Sequence, residues 1–105
     1  MQIGHLRVRL ILRQARSLKD KRQVVRSILD RMRNAFEVAV AEVDARDDPQ
    51  VAVLGFAAIA EESAAVQAIL ERIGNALRGH PVAEFAFAES EVLAFDGSLS
   101  TDFLR

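Results

Sequence analysis

Four cations stand at helical spacing in the first third of the chain: Lys19, Arg22, Arg26 and Arg33. Wound at about 100° per residue, they fall within a band of roughly 60° on one flank of an apolar stripe. Cations filed in this way suit a phosphate backbone, where each neutralised phosphate releases condensed counterion. They equally suit a solvated helix face, and spacing alone does not choose between the two. Arg16 and Ser17 come just before the first turn, whose free backbone N–H groups favour an anion. With Lys19 close by, a phosphate fits there, although Ser17 is more simply the helix cap. Lys21 differs from its neighbours because its angular position lies inside the apolar sector. Its stem is expected to pack while its ammonium snorkels out at the helix start.

The remaining reactive side chains make weaker patterns. His5, Arg7 and Arg9 alternate with apolar residues, so they share one face of a strand, and Glu89 and Glu91 on a pairing strand would neutralise them. Glu42, Asp44, Asp47 and Asp48 cluster in a turn, where a solvated acidic loop is a simpler reading than a divalent-ion site. His5 and His80 are too far apart in sequence to suggest a metal pair. Phe56 in "LGFAAIA" is a weak echo of RNA-recognition sheets, because Leu54 and Ala58 stand where a cation and a second aromatic belong. No glycine-rich loop occurs in "RQARSLKDK", which argues against a nucleotide cradle. No nucleophile is set beside a base, so the expectation is a non-catalytic protein without cofactor or metal.

Composition bounds what surrounds these residues. The chain has 105 residues, 50% hydrophobic and 28% charged, which suits one compact domain. Cysteine is absent, so disulfides, thiolate metal sites and thiol catalysis are excluded together, and a reducing cytoplasm is the expected location. The longest apolar run, Val51 to Ala60, is half of the ~20 residues that a membrane helix needs. The N-terminus "MQIGHLRVRL" lacks the apolar centre of a signal peptide, and a soluble protein with no membrane partner is expected. The net charge of −1 hides a division: residues 1 to 34 hold ten Lys and Arg against Asp20 and Asp30, whereas the rest holds four against thirteen Asp and Glu. Either a basic surface awaits a polyanion, or basic and acidic segments fold together and cancel.

The elements that must position these groups follow from periodicity. Leu6, Val8, Leu10 and Leu12 alternate with polar residues, which predicts a first strand over residues 2 to 13. Ser17 with Asp20 resembles a capping box, and Leu18, Val25, Ile28, Leu29, Met32 and Phe36 predict a helix to about Asn34. Alternation at Phe36, Val38 and Val40, then "DARDDPQ" and the run "VAVLGFAAIA", predict a two-stranded hairpin. Val66, Ile69, Leu70, Ile73 and Leu77 mark a second helix, expected to end on a C′ Gly79 before Pro81. A last strand over about Val82 to Phe95 changes phase between Phe87 and Val92, as at a bulge. The order βαββαβ in residues 1 to 95 predicts an α+β, ferredoxin-like domain: an antiparallel sheet ordered 4-1-3-2 with both helices on one face. Residues 96 to 105 are expected to be a loose tail. The third strand is apolar on both sides, so one face of it is left open. A homodimer is expected to cover that face, with Leu54 and Phe56 as the interface candidates and Val51, Val53 and Ile59 as the alternative set.

With these elements in place, "LRVRLIL", "ARSLKDKRQVVRSILDRMRN", "VAEVD" and "AVLGFA" resemble the YlxP-like family of small bacterial proteins over about residues 1 to 95. The pairing of "SLKDKR" at Ser17 to Arg22 with "AEVD" at Ala41 to Asp44 is the most specific part of the likeness. The resemblance implies a ferredoxin-like fold, a cytoplasmic location, and genes beside translation-initiation and ribosome-maturation factors. It implies no activity. Pro49 and Ala60 depart from the pattern, standing where relatives carry a hairpin Trp and a helix-capping Ser, so the second helix starts uncapped or shifts its cap to Ser63. The basic helix and the implied gene context together give the expectation of RNA or a ribosomal subunit as partner, with Arg16, Lys19, Arg22, Arg26 and Arg33 as phosphate contacts. A homodimeric interaction domain without nucleic acid is the other reading.

Overall fold

Alternation of polar and apolar residues makes β1 (Gln2–Ile11), and its even-numbered side chains Leu6, Val8 and Leu10 are buried. In the computed structural model, which describes residues 1–94, β1 is followed by α1 (Leu18–Ala35), β2 (Ala39–Asp44), β3 (Val51–Ala60), α2 (Ser63–Arg78) and β4 (Glu84–Ala94). The sheet is antiparallel with order β2-β3-β1-β4, the expected ferredoxin-like arrangement. The expected tail at 96 to 105 lies outside the described residues.

The core lies between one sheet face and the helices. Leu6, Val8, Leu10 and Leu12 meet Val25, Ile28 and Met32 of α1, and Val66, Leu70, Ile73 and Leu77 of α2. Leu29 and Ile69, expected in the core, are only partly buried at its edge. Gly4 has a physical reason to be glycine: a Cβ there would stand 2.4 Å from Val66 Cγ1, so its absence lets α2 approach β1.

Leu54 and Phe56 are not on the open face. Both are in the core, 0% and 2% exposed, because the even positions of β3 (Ala52, Leu54, Phe56, Ala58) lie in register with the even positions of β1 beneath the helices. The alternative set, Val51, Val53 and Ile59, belongs to the open face.

Local chemistry departs from expectation at three ends. The phase change in β4 falls at Ala86, where Arg9 pairs with Phe87 and Leu10 with Phe85, earlier than the stretch from Phe87 to Val92 suggests. Gly79 ends α2 at φ −87°, not in the left-handed region, and His80 N–H donates to the Leu77 carbonyl at 3.2 Å. The His80 Nδ1 then accepts from Val82 N–H and Ala83 N–H at 3.1 and 3.0 Å, so the imidazole stops the chain that glycine was expected to turn. The N-cap of α2 is Glu62 without a side-chain bond, and Ser63 instead donates to Gln2 Oε1 at 3.2 Å.

Candidate nucleic-acid interface

Helix α1 starts as its sequence dictates. Ser17 Oγ accepts from Asp20 N–H at 3.1 Å, and Asp20 Oδ2 accepts in return from Arg16 N–H at 3.0 Å. The return bond reaches one residue further back than in a usual capping box. Asp20 also places a negative charge in the first turn, where the helix dipole favours it. The cap holds Arg16 at the head of the helix, and the helical repeat sets Lys19, Arg22 and Arg26 along one outer flank. All four side chains are exposed, and none makes an ion pair among the described residues. Arg33, expected in the same band, is exposed but pairs with Asp30 at 3.1 Å one turn back. Its charge is therefore partly answered before any ligand arrives.

Lys21 sits on the inner, apolar side of the helix, and it does not snorkel. It is 1% exposed; its Nζ donates to the Ala45 carbonyl at 2.6 Å and lies 2.9 Å from Glu42 Oε2. The Glu42 oxygen is itself buried and has no well-directed hydrogen bond, so close approach of charge holds the pair more than alignment does. Two backbone irregularities deliver these partners. A bulge at Val43 breaks the β2–β3 register between Glu42 and Asp44, and Ala45 adopts φ +54°, which turns its carbonyl towards the ammonium. Sequence reasoning missed this pair although two signals were present: a cation inside an apolar arc, and a carboxylate two residues after Val40 on the covered face of β2.

On the open sheet face, Arg7 pairs with Glu89, the cross-strand neutralisation that the alternation suggests, and His5 Nε2 lies 3.8 Å from Glu91. Arg9 has no such partner among the described residues, because the bulge places Phe87 opposite it. At the far end of β1, Arg13 Nε donates to Glu84 Oε2 at 2.6 Å. That bond, then the adjacent guanidinium charge, holds the Glu84 carboxyl below the usual carboxylate range and raises Arg13. On α2, Arg72 and Arg78 stack over Phe36 and Phe85, with 5.4 and 4.6 Å to the ring centroids.

The acidic turn does not converge. Glu42 points to Lys21, Asp44 Oδ1 accepts from Ala45 N–H, and Asp48 Oδ1 accepts from Gln50 N–H. Among the described residues no group of three His, Cys, Asp or Glu side chains stands ready for a metal ion. No described helix is long and apolar enough to cross a membrane.

A four-stranded ferredoxin-like sheet with a basic outer helix defines a small α+β module whose most distinctive surface is electrostatic. The chain belongs to the family described as "Protein of unknown function (DUF503)", whose sequence model matches residues 3–90. It is 30% identical over 89 residues to the uncharacterized protein YlxP of Bacillus subtilis (strain 168), covering 85% of this chain and 97% of that one. The YlxP-like resemblance of the sequence and the ferredoxin-like architecture therefore agree.

Proposed function

We propose that this chain is a non-catalytic, cytoplasmic module that associates with RNA or a ribosomal subunit through phosphate contacts made by the outer flank of α1. The observation that carries this reading is the file of unpaired cations Arg16, Lys19, Arg22 and Arg26, set beside Lys21 and Arg33, whose charges are answered within the chain. Phosphate contacts need exposed, uncommitted cations on a rigid element, and a capped helix of 18 residues supplies one. Base readout is not part of the proposal. The chain has no Tyr or Trp, and Phe56, the aromatic placed for stacking by analogy, is buried. Binding is therefore sequence-tolerant and salt-sensitive.

The test is a salt titration of binding to single-stranded RNA. Four contacts give a log–log slope of about −3, at roughly −0.7 per contact. Arg22→Glu with Arg26→Glu should bring the slope to about −1.4 or shallower, while the thermal melt stays in place because both residues are exposed. No salt-sensitive association of the wild type with RNA or ribosomal subunits at low ionic strength would refute the proposal.

A further inference from the structure

The sheet face turned away from the helices carries an unusual share of the molecule's exposed apolar surface. Of six large hydrophobic residues left exposed among the described residues, Val43, Ile59, Phe87 and Leu93 lie on this one face, each at least 45% exposed. Between these ends the face is divided lengthwise. Its β1–β4 half is tall, with the His5–Glu91 and Arg7–Glu89 pairs. Its β2–β3 half is low, built of Ala39, Ala41, Gly55 and Ala57. The low half is the floor of an apolar groove of about 510 Å³, walled by Val43 and Arg7. Gly55 keeps it low, since a Cβ there would meet Val43 Cγ1 at 2.8 Å.

We infer that this face binds a second copy of the same chain, about a two-fold axis parallel to the strands. Such an axis lays β4 of one copy over β2 of the other and β1 over β3. The tall half then fills the low half twice over, as an isologous contact requires. At the same time Phe87 comes over Val43, and Ile3 over Ile59. Charge selects this occupant over a polyanion: Glu89 offsets Arg7 and that pair enters the interface already neutralised, while Glu91 and Arg9 add one charge of each sign, so the face has carboxylates that would repel phosphate and no file of free cations. Size permits it too. Strands of 10, 6, 10 and 11 residues at about 3.3 Å per residue, each about 4.8 Å wide, give a face of roughly 600 Å² per copy. Two faces bury about 1,200 Å², the lower end of specific interfaces. The contact lies on the side of the sheet opposite α1, so it is independent of the phosphate-binding reading.

Sedimentation velocity of the full chain across a concentration series tests this. A dimer is expected at tens of micromolar. Phe87→Asp removes a ridge and leaves an aspartate opposite Arg9, which preserves the fold of the single copy. Ala57→Lys fills the groove from the other half of the face. Each should raise the dissociation constant by about tenfold or more, as loss of an interface anchor does. Circular dichroism establishes that each variant is folded, and either folded variant suffices to decide. Arg22→Glu with Arg26→Glu should leave dimerisation unchanged. A wild-type monomer at hundreds of micromolar would overturn the inference, and so would a dimer indifferent to both sheet-face variants, since its interface would then lie elsewhere.

Discussion

Lys21 and Arg22 are adjacent in sequence and about 100° apart around one helix, and their fates differ completely. The inner flank delivers Lys21 to a carboxylate and a carbonyl in a closed environment, whereas the outer flank leaves Arg22 and Arg26 in solvent with nothing to neutralise them. A cation's role follows from what the fold brings within reach of it, not from its type. The strongly basic first third of the chain is therefore two populations. One is absorbed into the structure through Asp30, Glu42, Glu84 and Glu89, and the other stays unpaired among the described residues, most of it on α1 with Arg9 on the sheet.

The sharpest way to break this contrast is to remove the carboxylate that makes Lys21 tolerable. Glu42→Gln leaves a buried ammonium facing an amide, and removal of one partner of a buried pair costs about 3 kcal/mol or more. In a domain of this size that lowers the melting temperature by more than 10 °C, at roughly 4–8 °C per kcal/mol. Lys21→Met together with Glu42→Leu should recover most of the loss, because apolar replacement of both charges is often close to neutral. If Glu42→Gln melted with the wild type, the inner flank would be no different from the outer one. Calorimetry of these variants decides it.

How much of this was legible in the sequence depends on the range of the interaction. The strand order, both helices and the phase of β1 follow from local periodicity, and the cross-strand meeting of Arg7 with Glu89 follows from phase once the order is known. The Lys21–Glu42 pair needs the hydrophobic phase of two elements combined, α1 and β2, and then a bulge at Val43 and a left-handed Ala45 that no local pattern announces. The side of β3 facing the helices was ambiguous for a related reason. Both faces of β3 are apolar, so alternation is silent there. The register with β1 decides, and it sends Leu54 and Phe56 inward. The outer flank of α1 was legible at once because exposure of a helix face needs no partner.

A smaller effect probes the absorbed population where it is wet. Arg7 and Glu89 are both about half exposed, so their attraction is screened and worth less than about 1 kcal/mol. A double-mutant cycle with Arg7→Ala and Glu89→Ala, measured at concentrations too low for self-association, should return a coupling of a few tenths of a kcal/mol that fades with added salt. A coupling as large as the one expected for Lys21 and Glu42 would mean that burial does not govern how firmly these charges are absorbed.

The smallest expected effect concerns a group that the fold keeps uncharged. Burial, and after it the nearby charge of Arg31, holds the His80 pKa below its ordinary 6.5. Geometry agrees, because Nδ1 accepts two backbone N–H bonds that a protonated ring could not receive. The sign follows directly. Below about pH 6.5 the unfolded chain takes up a proton at this position more readily than the folded one, so stability is full above that pH. It falls as pH drops towards the depressed folded value, and levels off once both states are protonated. Solvent screening at this partly exposed site limits the loss to below about 0.5 kcal/mol. Glu84, whose carboxyl titrates below its ordinary 4.5, acts in a lower window and does not interfere. His80→Asn offers the amide oxygen where Nδ1 now accepts and carries no proton to gain. Urea midpoints for that variant should be flat between about pH 7.5 and 5.5, where the wild-type midpoint declines. Equal slopes in both proteins would show that the end of α2 plays no part in the pH response.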